Sequence, residues 1–135
     1  MNLHFARQVN YAGNDAGITL RVILRVGLKN VAVIASLDTG ASNCIFERAH
    51  GEVIGLDIES GEPMIFHTAM GRVETYGHVV SVDTLGIRFE SMVYFIANPG
   101  IRKNLLGRSG WLDRIRLGVV DYDREIYIAP YDFES

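Results

Sequence analysis

The most constraining feature of the sequence is a regular alternation of apolar and other residues that begins near residue 18. Thr19, Arg21 and Arg25 occupy positions between the apolar ones. The apolar set is Ile18, Leu20, Val22, Leu24, Val26 and Leu28. Because side chains of a β-strand point alternately to its two faces, this pattern predicts a strand with one face in a core. We expect Lys29 and Asn30 to turn the chain into a second strand that pairs with the first as a hairpin.

The second strand of this hairpin is predicted to be buried and to end at a carboxylate. Residues 31–37 read Val-Ala-Val-Ile-Ala-Ser-Leu, and Asp38 follows them. Thr39 and Ser42 add hydroxyl groups that can donate hydrogen bonds. Gly40 lets backbone amides approach the carboxylate closely, because it has no Cβ. This is the one stretch in which the sequence points to a particular chemistry.

Two further segments lie downstream. Thr68-Ala69-Met70-Gly71-Arg72 falls between two stretches predicted as strands, and Asn104-Leu105-Leu106-Gly107-Arg108 places two apolar residues before Gly-Arg. With Asp-Thr-Gly-Ala-Ser at 38–42, these segments resemble, in the same order, parts of the retropepsin-like aspartic proteases. The three parts are the active-site turn, the flap hairpin and the apolar-apolar-Gly-Arg segment of that family.

The resemblance implies roles for individual residues. It implies a catalytic role for Asp38, Thr39 and Gly40. It implies substrate contacts for Ala41, Ser42, Ala69, Met70 and Gly71. In the family, the Thr hydroxyl of the turn bonds to backbone across a dimer interface, the Gly supplies a backbone amide to the carboxylate, and Ser42 would support the outer carboxylate oxygen. An open alternative is a structural turn in which Asp38 bonds only its own backbone.

The chain contains one Asp-Thr-Gly, whereas the implied chemistry needs two facing carboxylates. Residues 82–86, Val-Asp-Thr-Leu-Gly, are a near match that we interpret as a hairpin turn. We therefore expect the second aspartate to come from a second copy in a two-fold homodimer. In the mechanism that the resemblance implies, the pair shares a proton and activates a water. No metal, cofactor or covalent intermediate is expected.

One position departs from the retroviral pattern. Retroviral members carry an Asp where this chain has Ser42, and that Asp pairs with the Arg of the downstream segment. Ser42 cannot form an ion pair, so the role of Arg108 stays open. This difference makes the turn more similar to those of the bacterial and cellular branch of the family.

The fold is predicted to be mainly β, a single-domain retropepsin-like acid-protease barrel over residues 1–135. We count seven to nine short strands and one or two short helices, one of them near residues 47–54 and ended by Gly55. A length of 135 residues suits one domain that needs a second copy for its active site.

The amino-acid composition argues against several kinds of partner and binding site. The net charge of −3 and the absence of a Lys/Arg cluster argue against nucleic acid. No apolar run is long enough to span a membrane, and the N-terminal residues do not resemble a signal peptide. The single cysteine, Cys44, is expected to be buried and inert in a cytoplasmic protein. The four histidines show no metal-ligand spacing.

The resulting interpretation is a homodimeric aspartic endopeptidase that cleaves extended peptides or proteins with apolar residues flanking the scissile bond. Two alternatives stay open. One is a non-catalytic, dimeric binding or scaffold module that keeps the retropepsin fold, and the other is a monomeric barrel that holds a small ligand.

Overall fold

The computed structural model describes residues 1–12, 17–69 and 71–133. Within these residues the chain forms ten strands, one short α-helix and three 3-10 turns. The strands are β1 Arg7–Asn10, β2 Thr19–Val26, β3 Lys29–Leu37, β4 Ile45–Phe46, β5 Glu62–Thr68, β6 Gly71–Thr84, β7 Ile87–Ile96, β8 Leu105–Leu106, β9 Ile115–Val120 and β10 Glu125–Pro130. The helix α1 spans Arg48–Val53, and the 3-10 turns span Ile58–Ser60, Leu112–Arg114 and Asp121–Asp123. The prediction of a mainly β fold is confirmed.

The larger of two sheets closes on itself. Its strand order is β2-β3-β8-β4-β7-β6-β5, and β2 also pairs with β6. That additional pairing aligns Val22 with Thr84 and Arg25 with Ser81. Because both edges of β2 are hydrogen-bonded, the sheet forms a barrel-like wall around a single core.

The alternation in β2 is confirmed by burial. Leu20, Val22 and Leu24 are buried, whereas Arg21 between them is exposed. The core continues to Trp111, which is fully buried and donates its indole N–H to the Thr84 hydroxyl at 3.1 Å. A buried indole with a satisfied N–H fits a packing role for this residue.

The first hairpin turns earlier than predicted. Val26 pairs with Lys29, so the loop contains Gly27 and Leu28 rather than Lys29 and Asn30. Gly27 has a φ of 60°, a left-handed conformation that glycine adopts without steric cost. Leu28 is fully exposed at the loop and therefore does not continue the core face of β2.

The near match at residues 82–86 is a hairpin turn, as predicted. Thr84 pairs with Ile87 across the two-residue loop Leu85-Gly86. Both loop residues have positive φ, and the Gly86 amide donates to Asp83 Oδ1 at 3.0 Å. The Asp83 carboxylate therefore closes a turn.

The second sheet brings together the first and the last strand of the chain. Its order is β1-β10-β9, so β10 is hydrogen-bonded within its own chain along both edges. The helix α1 falls within the predicted range, and Gly55 follows it with a φ of 86°. Among the described residues, no helix combines the length and the apolar content that crossing a bilayer requires.

Candidate active site

Asp38 is the first residue after β3, and its backbone is held between two strands. The preceding residues Ser36 and Leu37 pair in parallel with Leu105 and Leu106 of β8. The Asp38 amide then donates to the carbonyl of Leu106 at 3.0 Å. The predicted emergence of Asp38 from a strand end is therefore confirmed, and its side chain is half-buried.

The carboxylate of Asp38 is bonded by the turn that follows. The Gly40 amide donates to Oδ1 at 2.9 Å, and the Ala41 amide donates to the Asp38 carbonyl at 3.1 Å. A Cβ built on Gly40 would lie only 3.3 Å from Oδ1. The close approach expected of a glycine is thus present. The same bond would form in a structural Asx turn, so a catalytic assignment depends on the surrounding residues.

The other residues of the turn face outward to different degrees. Thr39, Gly40 and Ser42 are exposed, and Ala41 is half-buried. Within the described part of the chain, the hydroxyls of Thr39 and Ser42 have no hydrogen-bond partner. The predicted support of the carboxylate by Ser42 and the contact of Thr39 across an interface therefore stay predictions.

The Leu-Leu-Gly-Arg segment packs directly against this turn. The amides of Arg108 and Ser109 donate to the carbonyls of Ala41 and Ser42, each at 2.9 Å. Asn43 and Ser109 form a further parallel bridge. Two segments that are about 70 residues apart in the sequence therefore form one unit.

Gly107 is required where these two segments cross. A Cβ built on it would lie 2.2 Å from the carbonyl oxygen of Asn43 and 2.9 Å from that of Ala41. Both neighbours are backbone atoms and cannot rotate away. This fits the prediction that Leu106 and Gly107 meet packing requirements behind the turn, and Leu106 is indeed buried.

Unlike the buried Gly107 beside it, Arg108 has an exposed side chain. Its guanidinium forms no ion pair with any residue that the structure describes. Ser42 offers no carboxylate at the position where retroviral members have one. Among the described residues, Arg108 therefore does not form a counterpart of the Asp–Arg pair of retroviral members.

Asn104 is a supporting residue whose role the sequence did not reveal. Its side-chain oxygen accepts the Glu47 amide at 3.1 Å, and its Nδ2 donates to the Glu47 carboxylate. Its backbone carbonyl accepts the Ser36 amide at 2.8 Å, two residues before Asp38. Asn104 thus connects the end of β3 to the start of α1. The only signal was its place immediately before Leu105, which does not identify its partners.

A hairpin formed by β5 and the first part of β6 extends beyond the barrel. Thr68 pairs with Gly71 across a two-residue loop, and β6 is joined to β7 only from Thr75 onward. Residues 71–74 therefore form strand pairs with β5 alone, and the Glu74 carbonyl also accepts the Ala97 amide at 2.9 Å, just after β7. Ala69 and Gly71 are exposed, and Gly71 has a φ of 111°. Met70, predicted to contact substrate, lies outside the described residues.

The outer part of this hairpin contacts the barrel through an aromatic pair. Phe66 packs edge-on against Tyr94, with ring centroids 5.6 Å apart. Tyr94 is buried in β7 next to Ile45 of β4. Within the described chain, no hydrogen bond joins the hairpin to residues 38–42. The structure thus unites the turn with residues 104–109 but leaves the hairpin loop separate.

Cys44 is buried beneath the turn, as predicted. Its sulfur accepts the Gly107 amide at 3.4 Å and contacts the Ser109 carbonyl at 3.8 Å. Burial raises the pKa of the Cys44 thiol to about 11, which disfavours the reactive thiolate at neutral pH. Among the described residues, no group of three His, Cys, Asp or Glu side chains is close enough to hold a metal ion.

Comparisons with known proteins agree with this geometry. A family model for aspartyl proteases matches residues 23–110, which include the Asp38 turn and the crossing at Gly107. A retropepsin-like aspartic protease from Rickettsia conorii superposes with a TM-score of 0.65 at 20% identity, covering 91% of this chain and 98% of that one. EIAV protease complexed with the inhibitor HBY-793 superposes with a TM-score of 0.55 at 20% identity, covering 72% and 86% respectively.

These structural likenesses show a shared fold, and the family match covers well over half of the chain. A search of curated protein sequences gave no significant match. The chain belongs to the aspartyl protease family, and it is a peptidase with the retropepsin-like fold.

Proposed function

We propose that this peptidase is an aspartic endopeptidase whose active centre consists of two Asp38 carboxylates, one from each subunit of a two-fold homodimer. The observation that carries the proposal is how Asp38 is held. The Leu106 carbonyl binds its backbone amide and the Gly40 amide binds its carboxylate, while the turn stays open to solvent. One chain supplies one such carboxylate, so a second copy is needed for a facing pair.

The chemistry follows from the closeness of two like charges. Two adjacent carboxylates cannot both ionise cheaply, as is known for aspartic proteases as a class, so the pair holds one proton. The ionised Asp38 acts as a general base on a water that attacks the scissile carbonyl. The protonated Asp38 polarises that carbonyl, and a proton then passes to the departing amine. The proton belongs to the pair rather than to either subunit.

The exposed residues of the turn take supporting roles in this dimer. The Thr39 hydroxyl, which has no partner among the described residues, bonds to backbone of the second copy and sets the distance between the two turns. Ser42 supports the outer oxygen of the carboxylate. Gly40 and Ala41 leave space for substrate backbone beside Asp38.

The extended hairpin acts as a flap in the same proposal. Up to residue 74 its backbone lies outside the β6–β7 pairing, and it is attached there by the Phe66–Tyr94 contact and by the bond from the Ala97 amide to the Glu74 carbonyl. It can therefore move without breaking the strand pairing of the barrel. Closure would bring Ala69, Met70 and Gly71 over an extended peptide, and flap backbone would pair with that peptide. The apolar surroundings of the turn favour substrates with apolar residues next to the scissile bond. We also propose that residues 1–135 form a single domain.

The test is cleavage of a diverse peptide library from acidic to neutral pH, with and without a pepstatin-type inhibitor. Asp38→Asn should lose at least about a hundredfold in activity, because general acid–base catalysis contributes roughly 10²–10⁴ to rate. Asp83→Asn is a matched control, since Asp83 belongs to the similar sequence that forms a hairpin turn. It should keep its activity.

Sedimentation of all three proteins would show that the dimer is intact. If the wild-type dimer cleaves nothing at any pH, the endopeptidase proposal is wrong and a binding or scaffold module replaces it. If Asp38→Asn cleaves as well as wild type, the assignment of Asp38 is wrong.

A further inference from the structure

A groove of about 450 Å³ lies where residues 130–133 pass the turn between β6 and β7. Its walls contain no residue of the 38–42 turn or of the 104–109 segment. Its volume falls within the range of ligand-binding clefts, roughly 300–1,000 Å³. Nothing in the proposed catalytic mechanism uses it.

The charges that line this groove are mostly positive. Arg7, Arg88 and Arg114 contribute three guanidinium groups, and Asp132 contributes one carboxylate. Arg88 lies 3.5 Å from the carboxylate of Asp83, whereas neither Arg7 nor Arg114 has an ion pair among the described residues. The groove is therefore a cationic region on a chain whose net charge is −3.

The two unpaired guanidiniums keep donors available. Arg7 Nη1 donates to the Ala6 carbonyl at 3.1 Å, and Arg114 Nη1 donates to the Glu90 carbonyl at 3.2 Å. Each guanidinium has five N–H groups, so further donors remain on both. Arg114 also stacks on the ring of Phe89, 4.9 Å from its centroid, which limits its rotation. A guanidinium held in one plane is well suited to a carboxylate.

Aromatic surface lies beside these cations. Tyr131 is 61% exposed and Phe133 is half-buried, and both line the groove with Phe89. The side chain of Arg88 is 54% exposed at the same rim. Small-molecule sites enclose most of their ligand, whereas a rim this accessible leaves the groove open to a polypeptide.

We propose that this groove binds an acidic peptide segment in which carboxylate side chains alternate with aromatic or aliphatic ones. The carboxylates pair with Arg7 and Arg114, and the apolar side chains contact Phe89, Tyr131 and Phe133. Resting on the proposed endopeptidase function, this segment belongs to the protein substrate and lies apart from its scissile bond. The groove then selects substrates independently of the residues around Asp38.

Binding is measured by fluorescence anisotropy with a short labelled peptide that alternates Glu with Phe, compared with one that alternates Gln with Phe. The full chain carrying Asp38→Asn is used, so the probe is not cut. The Glu peptide should bind more tightly than the Gln peptide, and added salt should weaken the binding of the Glu peptide. Arg7→Gln and Arg114→Gln should each weaken binding about two- to fivefold. Arg21→Gln, at an exposed arginine of β2, is the matched control and should leave the affinity for the peptide unchanged.

Three results would overturn the docking proposal. The first is equal affinity for the Glu and Gln peptides. The second is displacement of the probe by free glutamate as readily as by unlabelled peptide, which would indicate a small-anion site. The third is a change in the sedimentation of Arg7→Gln with no change in peptide affinity, which would indicate an interface between copies. Arg7 is exposed, so its variant remains informative if Arg114→Gln fails to fold.

The link to proteolysis is tested separately with wild-type enzyme. A peptide that it cleaves should show a higher kcat/KM when it carries the acidic segment, and Arg7→Gln should abolish the gain. If the acidic segment binds tightly but does not raise kcat/KM, the groove is a peptide-binding site but the segment does not belong to the substrate. No cleavage of any peptide would instead contradict the proposed endopeptidase, since the binding assay uses the Asp38→Asn protein.

Discussion

Two glycines allow backbone to approach where a side chain would not fit. Gly40 brings its amide to the Asp38 carboxylate, and Gly107 lets the downstream segment cross behind the turn. The two positions differ in how well they would tolerate a side chain. A Cβ at Gly40 would meet a carboxylate oxygen at 3.3 Å, whereas a Cβ at Gly107 would meet backbone at 2.2 Å. The position of Asp38 therefore depends more strictly on Gly107.

Gly107→Ala should destabilise the fold by about 3 kcal/mol or more, at the upper end of overpacking effects, because backbone atoms surround the new methyl group. Chemical denaturation measures the free energy of unfolding. Gly100→Ala is the control, since its nearest neighbour is the rotatable Asn98 side chain at 3.2 Å. It should change stability by less than about 1 kcal/mol. Equal effects from both variants would contradict the crossing described at Gly107.

The buried Cys44 thiol should make the free energy of unfolding decrease at alkaline pH. Burial raises the pKa of the folded thiol to about 11, above about 8.5–9 in an unfolded chain. The protonated thiol thus favours folding, and its contribution is fully present below about pH 9. As pH rises toward 11, about 3 kcal/mol should be lost, since each pKa unit corresponds to about 1.4 kcal/mol. Urea denaturation between pH 7 and 11 measures this loss. Cys44→Ser should show a shallower decline, and an identical decline would contradict the assignment to Cys44.

Local residue chemistry was sufficient to predict some of the site but not all of it. Asp38 and Gly40 could be predicted because an acid, a strand end and a glycine are adjacent in the sequence. The part played by Asn104 could not, because its partners Glu47 and Ser36 are about 60 residues away. A single polar residue before an apolar pair carries no information about such distant contacts.

At the scale of elements, the strands were easier to predict than the turns between them. The alternation in β2 reflects burial of one face, and that burial is directly encoded by residue type. The loop position was wrong because Leu28 extends the apolar alternation into the turn, whereas Gly27 alone supplies the positive φ. Backbone conformation outweighed hydrophobic pattern at this point.

The extended hairpin should become more ordered when a peptide-like inhibitor binds beside Asp38. If it is a flap, a pepstatin-type inhibitor should slow amide hydrogen exchange in residues 65–74 at least about tenfold, because closure covers backbone that lies outside the β6–β7 pairing in the free chain. The turn at Leu85-Gly86 provides an internal control and should be unchanged. Protection at the core but not at residues 65–74 would contradict a flap.

At the scale of the whole molecule, the fold class could be predicted from the sequence, but the strand pairings that close the barrel could not. A mainly β barrel-like fold could be predicted from short alternating strands and from the family resemblance. The pairing of β2 with β6 and the placement of β10 between β1 and β9 could not. These contacts join residues far apart in the chain, and local periodicity specifies a strand's buried face but not its neighbour.

The central claim is that two copies each contribute one Asp38 to a single active centre, and subunit mixing tests it most directly. Wild type and Asp38→Asn are combined at constant total concentration, allowed to exchange, and assayed on one cleaved peptide. If both carboxylates are required, activity should follow the square of the wild-type fraction, so an equal mixture should retain about a quarter of full activity. Mixing with Asp83→Asn, the matched control, should leave activity unchanged. An equal Asp38→Asn mixture that retains about half would contradict the shared centre, because each chain would then be acting alone.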